Sequence, residues 1–283
     1  MRLSSVLLCA TALVSASAAL AADLPTYKAP PAPTLVAAPP PYSWTGFHIG
    51  LGGGASALQV NSKSRSYLWG YSTGDTGGDY HAHGGNTSDL GKFGAFGTIE
   101  AGADYQMDRF VVGAFTNFDL KSLSAKSSSV AQASCHSTSS TCSANASHHV
   151  WYKVGDSWDA GLRLGYLLTD RNLLYALGGY SGAQISSGAR IDGYGTNGGT
   201  AYSTSAASGE SGWKSGYVVG AGWETALTDH ITLKTEYRYA DYGNVKSNSS
   251  YRNFYDTGGY GGGARQSGDV AVQTVRAVLS YKF

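Results

Sequence analysis

The chain has 283 residues, with 20 Lys and Arg against 19 Asp and Glu, for a formal net charge of +1 at neutral pH. A balance this even provides no global attraction to a polyanion, so no nucleic-acid partner is expected. Thirty-nine Gly and twenty Tyr beside two Met and 14% charged residues make a glycine-rich, aromatic, β-leaning composition; beyond the N-terminus no stretch approaches the roughly 20 apolar residues of a spanning helix.

Residues 1–21 read as a secretory signal peptide: Met1 and Arg2 precede an apolar run that gives way to Asp23 and a proline cluster. Ala19-Leu20-Ala21 supplies a small-x-small cleavage pattern, placing cleavage after Ala21, with Ala22 as the alternative. The apolar core is short for an uncleaved anchor. Leu8 before Cys9 is not small, which argues against a lipoprotein signal. Removal of Arg2 leaves nineteen basic against nineteen acidic residues.

Residues 22–43 form a leader whose Pro and Ala content favours an extended, polyproline-like tether. The folded domain is expected over 44–283. Within it, short periodic aromatic stretches alternate with longer polar ones rich in Gly and Ser.

The period-2 pattern predicts eight strands. The first, 44–54, puts Phe47, Ile49 and Leu51 opposite Gly46, His48, Gly50 and Gly52. The second, 92–105, sets Phe93, Ile99, Ala101, Ala103 and Tyr105 against Thr98, Glu100 and Asp104. In the third, 110–120, Phe110, Val112, Ala114 and Phe118 oppose Gly113, Asn117 and Asp119, with Phe115 on the polar side. The fourth, 154–167, opposes Trp158, Leu162, Leu164 and Tyr166 to Asp159, Gly161 and Arg163.

The fifth strand, 173–185, has apolar residues at both parities, and Leu173, Tyr175 and Leu177 are assigned outward by analogy with the neighbouring strands. The sixth, 215–226, sets Tyr217, Val219, Ala221 and Trp223 against Gly216, Gly220, Gly222 and Glu224. The seventh, 231–242, divides Leu233, Tyr237 and Tyr239 from Lys234, Glu236 and Arg238. The eighth is the terminal "QTVRAVLSYKF", in which Val275, Ala277, Leu279, Tyr281 and Phe283 alternate with Thr274, Arg276, Ser280 and Lys282.

Tight turns carrying Asp or Asn are expected at 107–109, 168–172 and 227–230. Residues 55–91, 121–153, 186–214 and 243–269 read as long insertions, with "GGYGGG" at 258–263 as a flexible tip. Short turns at one end and long loops at the other fit a membrane barrel, with the short turns periplasmic. Cys135 and Cys142, left after Cys9 departs with the signal, are expected to form a disulfide in an oxidising compartment. Two thiols beside His136 do not complete a metal site, and none is assigned.

Alternation by itself does not say which face is wet. Three features favour lipid on the apolar side. Aromatic residues gather near strand ends: Trp44, Tyr105, Phe110, Phe118, Trp158, Tyr166, Tyr175, Trp223, Tyr239, Tyr281 and Phe283. Strands of about ten residues, tilted near 45°, span about 25 Å of hydrocarbon. The opposite face mixes Gly with charges of both signs: Glu100, Asp104, Asp119, Asp159, Glu224 and Glu236 with Arg163, Lys234, Arg238 and Arg276. An open sheet would leave backbone groups unpaired in lipid, so the first and last strands must meet. The expected fold is therefore an eight-stranded antiparallel transmembrane up-and-down β-barrel with a polar plug.

The "ADLP" start after cleavage, the Pro/Ala leader, "WTGFHIGLGGG", "LKTEYRYADYG" and the terminal "LSYKF" together resemble the small outer-membrane immunogenic or surface-antigen β-barrel proteins of Gram-negative bacteria. These form an OmpA-like group often labelled porin family. The resemblance spans nearly the whole chain and is specific mainly at its two ends. It implies a cell outer-membrane location, contact with outer-membrane lipid and lipopolysaccharide, and recognition of Tyr281 and Phe283 by the barrel-assembly machinery.

The function expected is non-catalytic: envelope structure and surface display, with limited small-solute passage as a secondary role. No cofactor is assigned and the oligomeric state is open. Haem or ligand capture by His81 and His83 is an alternative, since the resemblance includes surface antigens associated with haem binding. A lipid-modifying enzyme is a further one, although no spacing among the Ser, His and acidic residues selects a triad.

Overall fold

The computed structural model describes residues 41–72, 79–136, 142–197, 200–255 and 258–283. The signal peptide expected over 1–21, and all but the last three residues of the leader, lie outside the described residues. The rest is antiparallel sheet. Its strands are β1 (Gly46–Ser72), β2 (Asp79–Met107), β3 (Phe110–Lys121), β4 (Leu123–His136), β5 (Cys142–Thr169), β6 (Asn172–Asn197), β7 (Thr200–Ala226), β8 (Ile231–Tyr255) and β9 (Gly258–Lys282). β3 and β4 are one strand interrupted at Ser122, so the nine segments make a ring of eight. The ring closes where β1 pairs with β2 on one side and with β9 on the other. Closure leaves no lipid-exposed edge, the condition a spanning sheet must meet.

Alternation fixes the two faces of the wall. Along β3 exposed and buried residues alternate without exception. Phe47, Ile49, Leu51, Ile99, Leu162, Leu164, Val275 and Leu279 point outward, while Glu100, Asp159, Arg163 and Arg276 point in. Aromatic side chains mark both limits of the apolar band. Phe110 meets Tyr166 edge-on at 5.4 Å at the limit beside the short turns, and Trp158 lies 5.2 Å from Tyr180 at the other.

Four outward assignments reverse. Leu173, Tyr175 and Leu177 are buried in the lumen, and Leu174 and Tyr180 face lipid instead. β6 carries apolar residues at both parities, so hydrophobicity does not select its face. Register does: Leu174 lies opposite Trp223 and Tyr166 in the neighbouring strands, and residues directly opposite share a face. Trp44 also leaves the girdle, being 2% exposed ahead of the first strand, inside the mouth of the barrel.

Within the described residues the four long insertions are strand, not loop. β1 and β2 pair from Gly46↔Asp104 out to Gly70↔Tyr80, and β5 and β6 pair out to Cys142↔Asn197. The "GGYGGG" stretch likewise lies in β9. Beyond the membrane the ring divides: β2 meets β3 only up to Phe96↔Lys121 and rejoins β4 only at Asp79–His81. β7 meets β8 only up to Tyr217↔Asp241. The outer part is thus two four-stranded sheets, β2-β1-β9-β8 and β4-β5-β6-β7.

Between these sheets Leu58, Val60, Val270 and Val272 join Leu123, Tyr152, Val154 and Ile185 in one apolar cluster. The Tyr152 hydroxyl crosses to Ser62 Oγ at 3.2 Å. Isolated polar segments do not order, but here the apolar members of the inward series meet across the sandwich, beside buried polar residues such as Ser62 and Gln266, and burial of each apolar side chain is worth about 1.5–3 kcal/mol.

Candidate functional site

The lumen is the place where chemistry-bearing side chains converge, and it is filled in three layers. The first closes the mouth beside the short turns. Trp44 donates its indole N–H to the Asp170 carbonyl at 3.1 Å, and its backbone N–H to Gln106 Oε1 at 2.8 Å. Tyr42 packs edge-on against Trp44 at 5.1 Å, between the Arg171 guanidinium and the Lys282 ammonium, which lie 5.6 and 5.0 Å from its ring centre. Burial, with the carboxylates of Glu224 and Asp104, pushes the Tyr42 phenol up to about 12.

The second layer is ionic. Six carboxylates, Glu100, Asp104, Asp119, Asp159, Glu224 and Glu236, and five cations, Lys121, Arg163, Lys234, Arg238 and Arg276, are each no more than 8% exposed. Arg163 donates Nε to Asp104 Oδ1 at 2.8 Å and Nη1 to Glu224 Oε2 at 2.7 Å. Arg238 reaches Glu236 Oε2 at 2.7 Å and Asp159 Oδ2 at 3.2 Å. Arg276 takes Asp119, and Lys234 pairs with Glu100.

His48 stands between two carboxylates, 3.5 Å from Glu100 Oε1 and 3.3 Å from Asp104 Oδ2. With six carboxylates against five fixed cations, an imidazolium there balances the set. Neutral partners complete the network: Thr98 donates to Asp119, Asn117 bridges Asp119 and Asp159, and Thr232 donates to Glu224 at 2.6 Å. Phe115, which the alternation places among the polar residues, lies under the Arg238 guanidinium at 4.8 Å.

The ten charged residues of the inner face, from Glu100 to Arg276, lie in the lumen in one connected network. His48 and Lys121 join this network, and parity signals both: each continues the inward series of its own strand. The third layer is the apolar core of the outer sandwich, above which His148 is buried at 2% exposure; burial, with His149 beside it, pulls its imidazole down.

The remaining candidates lie elsewhere. Tyr281 and Phe283 are exposed on the lipid side, edge-on to each other at 5.1 Å, and the Phe283 N–H donates to the Phe47 carbonyl. The register sets His81 opposite Trp69 and His83 opposite Tyr67, far from the ionic layer. Cys135 lies opposite Tyr80 in β2, and Cys142 opposite Asn197 in β6. The side chains of His81, His83, Cys135, Cys142 and His136 lie outside the described residues, so the expected disulfide and haem site fall there. Among the described residues no group of His, Cys, Asp and Glu is arranged to hold a metal ion.

Comparison with known proteins bears on the whole chain. It is 30% identical over 284 residues to the 31 kDa outer-membrane immunogenic protein of Brucella melitensis biotype 1, covering 99% of this chain and 100% of that protein. The protein of the same name from Brucella suis biovar 1 matches equally. No family model matches the chain. Among solved structures, the attachment invasion locus protein of Yersinia pestis is similar at 11% identity and a TM-score of 0.23, over 77% of this chain and 98% of that one. Neisserial surface protein A is similar at 12% identity and a TM-score of 0.30, over 81% and 99%. Scores this low carry no argument about function.

Proposed function

Because the chain belongs to the family of the 31 kDa outer-membrane immunogenic proteins and is an outer-membrane β-barrel protein, we propose that it acts without catalysis, as a sealed anchor that holds a stiff surface sandwich outside the cell. The observation that carries this reading is the dryness of the ionic layer. Lys234 is 1% exposed, and Glu100 and Arg238 are 2% exposed, whereas a water-filled lumen would leave such groups accessible. Carboxylates and guanidiniums engaged with one another at this burial present no accessible acid, base or nucleophile to a substrate. Small-solute passage finds no support in an interior filled this way.

The outward layer supports the display role. Paired strands continue well past the aromatic limit of the apolar band, so the exposed hairpins are held by sheet hydrogen bonds and an apolar core. Reconstitution of the refolded chain in planar bilayers tests the proposal. The expected record is flat apart from brief events, and a large, steady conductance would overturn the sealed anchor.

A further inference from the structure

The outer face of the β8-β9-β1 sheet carries an arrangement that neither barrel stability nor surface display explains. Three strands place residues side by side in rows. Lys246, Ser267 and Lys63 form one row, and Asn248, Arg265 and Arg65 form the next. Lys63, Arg65, Lys246 and Arg265 are all exposed, and among the described residues none of them makes an ion pair. Arg65 and Arg265 are directly opposite, and like charges so placed destabilise a sheet. The next row inward on this face holds Asp269, which accepts from the Asn244 amide at 3.0 Å, and the register sets Asp89 in that same row, on the other side of Asn61.

The height of the patch points to what neutralises it. The apolar band ends at a polar row in which the Tyr237 hydroxyl donates to Gln273 Oε1 at 2.8 Å and Gln273 donates to Gln59 Oε1 at 3.0 Å. The four cations follow that row by four to nine positions, about 10–20 Å in height on strands that rise ~3.3 Å per residue and are tilted. That is where the phosphates and acidic sugars of an outer-leaflet glycolipid stand. Two guanidinium forks side by side suit the oxygens of a phosphate, and the two ammonium groups below add point charges.

We infer that Lys63, Arg65, Lys246 and Arg265 form a binding site for the phosphorylated headgroup of an outer-leaflet glycolipid, replacing the divalent cations that otherwise screen its phosphates. The sealed-anchor reading does not depend on it.

The test uses the full chain refolded in neutral detergent and titrated with deep-rough, bisphosphorylated lipopolysaccharide. Arg65→Gln with Arg265→Gln is expected to weaken binding about tenfold or more, from two cations removed beside an anionic headgroup layer. Lys126→Gln with Arg190→Gln, which removes the same charge from the outer face of the opposite sheet, is expected to change affinity less than about twofold. Enzymatically dephosphorylated lipopolysaccharide should bind the wild type as poorly as the intact lipid binds the Arg65/Arg265 variant. Heat-modifiable gel mobility, unchanged in every variant, shows that the barrels are folded. Equal loss in the two double variants, unchanged affinity in the first, or displacement of the lipid by millimolar inorganic phosphate would each overturn the assignment.

Discussion

Arg276, seven residues from the end of the chain, forks onto Asp119 from the far side of the sequence, Nη2 to Oδ2 at 2.9 Å and Nη1 to Oδ1 at 3.3 Å. β9 and β3 are not neighbours in the sheet, so this pair spans the lumen and ties opposite walls together. Both side chains are 1% exposed, and neither charge has water to fall back on.

Breaking that pair from one side therefore strands a buried charge. Asp119→Asn or Arg276→Leu is expected to lower stability by about 3–5 kcal/mol, whereas Asp119→Leu with Arg276→Met costs less than the sum of its parts. Urea titrations of the refolded barrel followed by gel mobility measure both. Additive losses would mean that the two groups do not depend on each other.

The plug at the mouth yields a pH dependence. The Tyr42 phenol is raised from 10.0 to about 12, first by burial and then by Glu224 and Asp104. Since the folded state favours the protonated form, Tyr42 leaves stability unaffected below about pH 10 and lowers it as pH climbs from 10 towards 12. Tyr42→Phe should flatten that alkaline decline. Tryptophan emission through the same interval reads it directly, because the Tyr42 ring lies against Trp44. A decline of equal depth in both proteins would assign it to other groups.

Closure of the ring depends on close approach of β1 and β9. A Cβ on Gly54 would collide with the Val275 carbonyl oxygen, a backbone atom that cannot turn aside. Gly54→Ala is expected to cost about 1–3 kcal/mol. Gly91→Ala, where a Cβ meets nothing within 4 Å, should be neutral to within about 0.5 kcal/mol. Comparison of the two urea midpoints checks the contrast.

The last residue separates assembly from stability. Phe283 is 68% exposed to lipid and holds the wall through its backbone N–H on Phe47, so its ring adds little internal packing. Phe283→Ala should refold in detergent with a nearly unchanged urea midpoint, yet accumulate poorly in outer-membrane fractions. Equal yield in cells would leave the ring as girdle alone.

Much of this was legible from alternation. The faces of β3, β8 and β9 and the ten inward charges follow from counting by two, because a pleated strand sends successive side chains to opposite sides, and the three tight turns follow from their Asp and Asn residues. The count fails in β6, where Leu173, Leu174, Tyr175 and Leu177 are apolar at both parities and only pairing with β5 and β7 decides. It fails again at Trp44: an amphipathic ring before the first strand suits a girdle or a plug equally, and the choice rests on Asp170 and Gln106, distant in sequence.

By itself the sequence determined the eight strands of the apolar band, which residues share a side of most of them, and that charge and grease lie on opposite sides. These are local consequences of a two-residue period. Only the tertiary structure decided how far pairing continues beyond the membrane, that the polar hairpins meet across an apolar core, and that Asp119 faces Arg276. Those outcomes come from partners remote along the chain, and no local window contains the energy of a contact it does not make.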